Sequence, residues 1–282
     1  MMRALWSAAS GMLAQQSNID IISNNLSNVN TLGYKRVRAE FHDLFYANMR
    51  VPGALGVTED QMQLPLQVGS GVRLTATRRD FNMGIMEDTG KPFDLMLTGP
   101  GFFCVQTPQG VRYTRAGAFT YSPTGRGDEM GLYTPEGYPL LLAEGNLPGA
   151  PVLFPGDTDT EQVLIRYDGS ITTMHGGDPA NDRLLGNIAV VLFSNPSGLL
   201  DIGRNLYDES ASSGERTMLD PTNPVIPGQQ PTEVMQGFIE GSNVAPVDEF
   251  VKMIVAQRAY EMNSKAIQAS DEMLQQANNL RR

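Results

Sequence analysis

Apolar side chains recur every seven residues at both ends of this sequence. The N-terminal seam consists of Leu5, Met12, Ile19 and Leu26, and a second row follows three places later at Ala8, Gln15, Ile22 and Val29. The C-terminal seam consists of Met253, Tyr260, Ile267 and Leu274. A seven-residue apolar repeat is typical of helices that pack lengthwise against other helices. We therefore predict a long α-helix at each end of the chain.

Residues that break helices are confined to the centre. Residues 1–50 contain two glycines and no proline and residues 247–282 contain neither, so 27 of the 29 glycines and all 18 prolines lie in between. Gly33 is placed to end the N-terminal helix, because glycine accepts the left-handed conformation that often follows a C-cap. Pro246 suits the first turn of the C-terminal helix, where two carboxylates follow it.

The centre has the period of β-strands. From Val72 to Thr77 apolar and polar side chains alternate, as in a half-buried strand. Further candidate strands are Phe93–Thr98, Phe102–Gln106, Val111–Arg115, Gln162–Arg166 and Asn187–Phe193. Strands without helices between them favour an antiparallel barrel or sandwich, so the predicted class is α+β. Two arrangements of the helices remain open: packing on this central region, or pairing with each other and with other copies.

The charge is distributed as unevenly as the breakers. The chain has a formal net charge of −10, of which residues 51–246 carry −12, from 11 basic and 23 acidic side chains. Binding to phosphates requires a cationic surface, so this charge argues against nucleic acid and against anionic lipid as partners. The N-terminus lacks the continuous apolar stretch of a cleavable signal peptide, which on its own predicts a cytoplasmic protein.

No constellation of catalytic residues is visible. The single cysteine, Cys104, rules out an internal disulfide and follows two phenylalanines in a candidate strand, as a core side chain would. His42, in an expected extension of the N-terminal helix, and His175 both lack the partner of a helical metal pair. Two carboxylate pairs lie among turn-forming residues: Asp157 with Asp159, and Asp178 with Asp182. We predict no catalytic, cofactor-binding or metal site.

Both ends also carry specific motifs. The N-terminal motif is Ser23–Arg36 (SNNLSNVNTLGYKR), and the C-terminal motif is Gln236–Val244 (QGFIEGSNV), which continues at Met253–Ala266. The central motif is Gly99–Val105 (GPGFFCV) followed by Tyr113-Thr114-Arg115. Together these stretches resemble the signatures of the flagellar basal-body rod and hook protein family.

Within that family the chain is most similar to distal-rod subunits. This likeness lies in Met1–Met12 and in a segment that runs from Phe41–Tyr46 through Arg50–Ala54 to Gln67–Val72. A proximal-rod or hook-type axial protein of the same family is the alternative.

The resemblance implies a structural protein that is not an enzyme and needs no cofactor. Terminal helices at 1–33 and 247–282 would form an inner coiled-coil domain, with connecting segments at 34–80 and 215–246 and an outer β-rich domain at 81–214. Copies would assemble into a helical tubular shaft that transmits torque from motor to hook. Expected partners are other copies, proximal-rod and hook proteins at the ends, surrounding ring proteins and the flagellar type III export apparatus, with no small-molecule substrate.

The same resemblance replaces the cytoplasmic prediction with the flagellar basal body, reached by export without a cleaved signal peptide. Contacts between subunits are expected at the N-terminal seam, at the C-terminal seam, and at Asn24, Asn25 and Asn28. Asparagine is a poor helix former, and a buried amide must find hydrogen-bond partners. These amides are therefore predicted to help fix the register between subunits, with an exposed helix end as the alternative.

Overall fold

Two long helices and a series of short antiparallel strands make up the described part of the chain. The computed structural model describes residues 2–50, 66–124, 129–145, 147–155, 158, 163–173, 183–219 and 232–280. The predicted α+β class is confirmed. Contacts divide the chain into a helical unit of Met1–Ser27, Val37–Arg79 and Ala245–Arg282, and a β-unit of Asn28–Arg36 and Asp80–Val244. The three-part domain division expected from the sequence stays a prediction.

The helical unit combines two helices with two β-ribbons. Its elements are α1 (Met2–Ser27), β1 (Val37–Asp43), β2 (Ala47–Arg50), β3 (Leu66–Val68), β4 (Val72–Arg79) and α2 (Pro246–Asn279). Strand β1 pairs antiparallel with β4, with a bulge between Glu40 and Phe41, and β2 pairs antiparallel with β3. At about 1.5 Å per residue, the 26 residues of α1 extend about 39 Å and the 34 residues of α2 about 51 Å.

The two helices pack against each other in antiparallel directions. Asn25 of α1 donates a hydrogen bond to the Glu249 carboxylate of α2. Farther along, a Cβ placed on Gly11 would lie 2.8 Å from the side-chain amide nitrogen of Asn263, so α1 and α2 approach closely there. Moving forward along α1 therefore moves backward along α2. The buried side chains of α1, among them Ala8, Ala14 and Ile22, recur at helical spacing.

The end of the first helix lies earlier than the sequence suggested. Helix α1 ends at Ser27, and Gly33 is not its terminating glycine. After Ser27 the chain turns, with the Thr31 N–H and hydroxyl donating to the Asn28 carbonyl and side-chain oxygens at 3.1 Å each. The expected helical extension around His42 is wrong as well, because His42 lies in strand β1. Helix α2, by contrast, begins at Pro246 with Asp248 and Glu249 in its first turn, as predicted.

The β-unit consists of short antiparallel strands. They are β5 (Met86–Asp88), β6 (Leu95–Leu97), β7 (Phe102–Thr107), β8 (Gly110–Thr114), β9 (Thr120–Pro123), β10 (Met130–Tyr133), β11 (Leu141–Glu144), β12 (Leu147–Pro151), β13 (Leu153–Phe154), β14 (Val163–Ile165), β15 (Ser170–Thr173), β16 (Arg183–Asn187), β17 (Val190–Phe193), β18 (Leu200–Gly203), β19 (Leu206–Asp208), β20 (Arg216–Met218), β21 (Val234–Gln236) and β22 (Phe238–Glu240). The largest sheet has six strands in the order β18-β19-β8-β7-β17-β20. Smaller sheets include β13-β10-β9, β14-β15-β16, β21-β6 and β22-β5.

The six-stranded sheet is covered by apolar side chains on both faces. Phe103 and Val105 of β7 belong to one core cluster, whereas Phe102 and Cys104 of the same strand belong to the other. Successive side chains of a strand point to opposite faces, so both faces are buried. This explains why the centre contains continuous apolar runs as well as alternating ones. Cys104 is a fully buried core residue, as its sequence context predicted.

Most candidate strands are confirmed, with changed limits. Asn187–Phe193 is not one strand, because β16 ends at Asn187 and a new strand, β17, begins at Val190. The strand predicted at Val72–Thr77 extends to Arg79, but its side chains are largely exposed because it lies in a two-stranded ribbon. Gln162, the predicted start of another strand, lies outside the described residues, and that strand is seen at Val163–Ile165.

Gly33 and Gly90 provide a matched test of local packing in the β-unit. Both have left-handed backbones, with φ of 67° and 63°. A Cβ at Gly33 would lie 2.7 Å from the Ala116 backbone nitrogen, whereas a Cβ at Gly90 would have no atom within 4 Å. Gly90→Ala should therefore lower the free energy of unfolding by about 1 kcal/mol through backbone strain alone. Gly33→Ala should lower it by about 1–3 kcal/mol more, because its Cβ also clashes with the Ala116 backbone. Urea unfolding followed by circular dichroism measures both, and equal losses would contradict the packing argument.

Candidate functional site

The N-terminal, C-terminal and central motifs meet at one place in the β-unit, which we call the signature junction. It consists of Gly33–Arg36, Glu240–Asn243 and Arg115, with the neighbouring segment Asp80–Gly84. The Gly33 N–H donates to the Glu240 carbonyl at 2.7 Å, and the Asn243 N–H donates to the Tyr34 carbonyl at 3.3 Å. These bonds join motifs from the two ends of the sequence directly through the backbone.

Asn243 uses its whole side-chain amide in the signature junction. Its Oδ1 accepts the Arg36 N–H at 2.7 Å, and its Nδ2 donates to the carbonyls of Asp80 and Asn82 at 2.8 and 3.1 Å. An asparagine amide offers both donors and an acceptor, and a carboxylate could not donate to these carbonyls. The amide therefore links three chain segments that are distant in sequence.

A buried carboxylate lies at the centre of the junction. Glu240 Oε1 accepts hydrogen bonds from Lys35 Nζ at 2.5 Å and from the Gly84 N–H at 2.8 Å. Arg115 Nη1 lies 3.6 Å from Glu240 Oε2. The exposed fractions of these three side chains are 0% for Lys35, 1% for Glu240 and 3% for Arg115. Such burial requires pairing, because an isolated buried charge is strongly unfavourable.

The buried part of the signature junction contains two cations, Lys35 and Arg115, and one carboxylate, Glu240, whereas Asp80 pairs with Arg36 on its half-buried side. Burial, reinforced by the nearby Arg115 charge, lowers the pKa of Lys35 from 10.5 to about 8. Burial also lowers the pKa of Arg115, against the attraction of Glu240. Arg115 donates to the Gly99 carbonyl at 2.8 Å, and its guanidinium lies 5.8 Å from the centre of the Phe102 ring. The enclosed Lys35 ammonium is out of reach of solvent, so its role in this geometry is to hold segments together.

Asn25 performs a comparable task in the helical unit. Its Nδ2 donates to the Val37 carbonyl at 2.8 Å and its Oδ1 accepts the Val37 N–H at 2.9 Å, which fixes the start of β1 against α1. Nδ2 also lies 3.2 Å from the Glu249 carboxylate, which accepts a 2.6 Å hydrogen bond from Lys252. These bonds of Asn25 hold elements of its own chain together.

The other predicted contact residues lie at varied depths. The N-terminal seam is half-buried throughout, as are Met253 and Ile267, whereas Tyr260 and Leu274 are exposed. Asn24 is exposed and Asn28 is half-buried in the turn after α1. Their role in contacts between subunits stays a prediction.

A second apolar row on α2 was missed in the sequence. Its members are exposed by 51% or more: Val247, Phe250, Val251, Ile254 and Val255. At about 100° per residue, this exposed α2 row lies on the face opposite the C-terminal seam and opposite the buried Glu249 and Ala256. On α1, Trp6 and Leu13 are 73% and 67% exposed. The i, i+3, i+4, i+7 spacing of this row is present in the sequence, but the prediction used the seven-residue repeat, which lies on the other face of the helix.

The residues considered for catalysis do not form a site in the described part of the chain. Cys104 is enclosed by apolar side chains, and this burial raises the pKa of its thiol. No group of His, Cys, Asp and Glu suited to a metal ion occurs among the described residues. His175 and the carboxylates Asp157, Asp159, Asp178 and Asp182 lie outside them. Neither described helix is long and apolar enough to cross a membrane.

The unequal charges of the junction predict unequal effects of mutation. Glu240→Gln removes the buried carboxylate that both cations face and should lower the free energy of unfolding by about 3–5 kcal/mol. Lys35→Met keeps the Arg115–Glu240 pair and should lower it by less than half as much. In the double variant, the loss should be smaller than in Glu240→Gln alone. Urea unfolding of the three variants tests this, and a larger loss in Lys35→Met than in Glu240→Gln would refute it.

The lowered pKa of Lys35 also predicts a pH dependence. Above pH 10.5 the ammonium is lost in both states, whereas below about pH 8 the folded protein must keep it charged and buried. Relative to Lys35→Met, the wild type should therefore gain stability as the pH rises from 8 to 10.5, by up to about 3 kcal/mol. Unfolding at a series of pH values measures the difference between the two proteins. A difference that stays flat or falls over this window would contradict the assignment.

Comparison with known families agrees with this arrangement of motifs. Residues 5–35 match the family described as "Flagella basal body rod protein". Residues 96–173 match "Flagellar hook protein FlgE/F/G D1 domain", and residues 235–280 match "Flagellar basal body rod FlgEFG protein C-terminal". The first range contains Gly33–Lys35 of the signature junction, the second contains Arg115 and the third contains Glu240–Asn243, whereas Arg36 and Asp80–Gly84 lie outside all three.

Individual relatives match the chain from end to end. The flagellar basal-body rod protein FlgG of Borreliella burgdorferi is 42% identical over 100% of both chains. The protein of the same name from Bacillus subtilis is 37% identical, and the flagellar hook-basal body complex protein FlhP of that organism is 30% identical, each over 100% of both chains. At this identity and coverage, the chain belongs to the flagellar basal-body rod protein FlgG family.

Proposed function

We propose that the chain is a structural subunit of the distal rod of the bacterial flagellar basal body. Copies assemble into a helical tubular shaft that transmits torque from the motor to the hook. The names of the full-length relatives support the rod assignment. The structural observation that carries it is the exposed α2 row, an apolar face that α1 leaves uncovered.

Assembly gives this uncovered face a partner. Contiguous apolar surface of this kind marks an interaction site in a soluble protein. A shaft requires contacts between different faces of successive copies, because only such contacts continue without closing into a ring. The exposed α2 row and the exposed Trp6 and Leu13 of α1 supply different faces on one helical pair. Covering them with neighbouring copies stabilises the polymer over the free subunit.

The predicted seams also contribute to the contacts between copies. Within the chain, pairing of α1 with α2 takes up part of each seam and leaves Leu5, Met12, Ile19 and Leu26 half-buried. Met253, Tyr260, Ile267 and Leu274 border the same pair and present their remaining surface to neighbours. Asn24 and Asn28 contribute amides for register, while Asn25 positions β1 inside each copy.

The proposed assembly places the helical ends at 1–33 and 247–282 inside and the β-rich 81–214 outside, linked by 34–80 and 215–246. The central excess of −12 formal charge is then carried outward, where like-charge repulsion keeps the rotating shaft free of nonspecific adhesion. The further partners are proximal-rod and hook proteins at the two ends, surrounding ring proteins, and the flagellar type III apparatus, which exports the chain without a cleaved signal peptide. The role is structural, with no catalysis and no cofactor.

The alternative is a proximal-rod or hook-type protein of the same family. Seven relatives that cover 96–100% of this chain at 36–42% identity are named flagellar basal-body rod protein FlgG, which favours the distal-rod role over this alternative. The position of the subunit in isolated basal bodies, seen by cryo-electron microscopy, distinguishes the two roles.

Charges in the exposed α2 row should block assembly without unfolding the chain. Val251→Asp and Ile254→Asp each place a carboxylate on the face that neighbouring copies cover, and burial of an unpaired charge is strongly unfavourable. The yield of rods in isolated basal bodies should fall at least tenfold. Gln257→Asp, an exposed position on the flank of the same helix, is the control and should assemble normally. Normal rods in both row variants would refute the proposed role of this face.

A further inference from the structure

The register of the two terminal helices can be read from two contacts. Asn25 of α1 donates a hydrogen bond to Glu249 of α2, and Gly11 of α1 closely approaches Asn263 of α2. From the first contact to the second, α1 goes back by 14 residues and α2 advances by 14 residues. The register is therefore the same at both contacts and can be extended along the whole helical pair.

At this register the helical pair is even at one end and staggered at the other. Ser27, the last residue of α1, comes opposite Val247, which is one residue from the start of α2. Met2, the first residue of α1, comes opposite Glu272, whereas α2 continues beyond that residue. We call Met273–Leu280 the α2 overhang, and its eight residues extend about 12 Å past the register of α1.

The α2 overhang has an apolar face that none of the described residues covers. The last buried residue of α2 is Ser270, and every later described residue of the helix is exposed. Leu274 and Ala277 follow Ser270 by four and seven residues, so they continue the line that faces α1 earlier in the helix. Met273 and Leu280 border this line and are 50% and 89% exposed. We call these four apolar residues the overhang face.

The exposed α2 row lies at the opposite end of the same helix. It spans Val247–Val255, or about 13 Å, and so matches the α2 overhang in length. The centres of the two surfaces are about 25 residues apart, which is about 38 Å along α2. Two surfaces that far apart on one helix cannot cover each other within a single copy, so contact between them requires two copies.

The two surfaces also point in compatible directions around the helix axis. At about 100° per residue counted from Val247, the overhang face is centred on about 110°. If one copy is shifted along the axis relative to another, a surface that faces about 110° on the first meets the side that faces about 290° on the second. Phe250 and Ile254 of the exposed α2 row lie closest to that direction, at about 300° and 340°.

We propose that the overhang face of one copy packs head to tail on Phe250 and Ile254 of a second copy. A second copy is the occupant because the two apolar surfaces match in length and in direction and lie at opposite ends of one helix. A contact between two different surfaces continues from copy to copy without closing, as a shaft requires. The inference rests on the proposed function, and adds the surface that covers the exposed α2 row and an offset of about 38 Å between the copies in contact.

Disulfide crosslinking in assembled rods tests which surfaces meet. The native Cys104 is fully buried, so engineered cysteines react without competition from it. In oxidised basal bodies, the chain with both Phe250→Cys and Ala277→Cys should form a ladder of linked multimers, because every copy then carries both halves of the contact. Replacing Ala277→Cys by Gln268→Cys, exposed but about 14 Å farther back along α2, should give at least tenfold less of the ladder.

A second pair makes the test independent of one substitution. Ile254→Cys with Leu280→Cys should give the same ladder, and each of the four single variants should give none. Rods that assemble but yield no ladder with either pair would overturn the inference. Equal ladders from the Ala277 and Gln268 pairs, or a crosslink of the α2 overhang to a different protein, would also overturn it.

Charge variants of the α2 overhang separate this inference from the proposed function. Ala277→Asp should lower the yield of rods at least tenfold, whereas Asn279→Asp, exposed on the other side of the α2 overhang, should assemble normally. Both carboxylates lie in the last turns of α2, so the helix dipole affects the two variants alike. Normal rods in Ala277→Asp combined with a loss in Ile254→Asp would refute only the overhang contact. Normal rods in both would refute the proposed polymer contacts and this inference with them.

Discussion

The carboxylate of Glu240 joins two parts of the chain that lie 205 residues apart in the sequence. Closing so long a loop is entropically unfavourable, so the contacts at its ends must be strong and specific. Glu240 supplies them with a buried pairing to Lys35, a hydrogen bond from the Gly84 N–H and proximity to Arg115. Asn243 adds an amide that Arg36, Asp80 and Asn82 share. The return of the C-terminal motif to the N-terminal motif depends on this group of polar residues.

Polar and apolar residues at the two ends of the chain have different roles. Polar motif residues such as Lys35, Glu240 and Asn25 form hydrogen bonds inside one copy, where they fix segments relative to one another. Apolar residues are left exposed instead, and the clearest example is the exposed α2 row. A subunit that assembles into the proposed rod requires both: internal polar contacts that preserve its shape, and apolar faces that stay open for the proposed contacts with neighbouring copies.

Much of the fold could be read in the sequence. The helices, the β-rich centre and the core position of Cys104 follow from local patterns, since each reflects the period of one element or the neighbours of one residue. The residues at which the elements end were harder to predict from the sequence. Helix α1 ends at Ser27 because the turn after it is closed by Asn28 and Thr31. Gly33 does not end the helix; glycine is required at this position because a Cβ there would clash with Ala116. Only the long-range packing of the β-unit creates that restriction.

The candidate sites divide along similar lines. Lys35, Arg115, Glu240 and Asn25 lie in stretches that resemble the signatures of a family, and the heptad spacing of the terminal helices is a property of the chain itself. Which face of each helix stays open was decided by the tertiary structure, because α1 can cover only one side of α2 and the choice depends on their antiparallel packing. The convergence of three motifs on one carboxylate likewise arises from pairings between distant segments. Local periodicity contains no information about such pairings, since it repeats the same within an element whatever that element packs against.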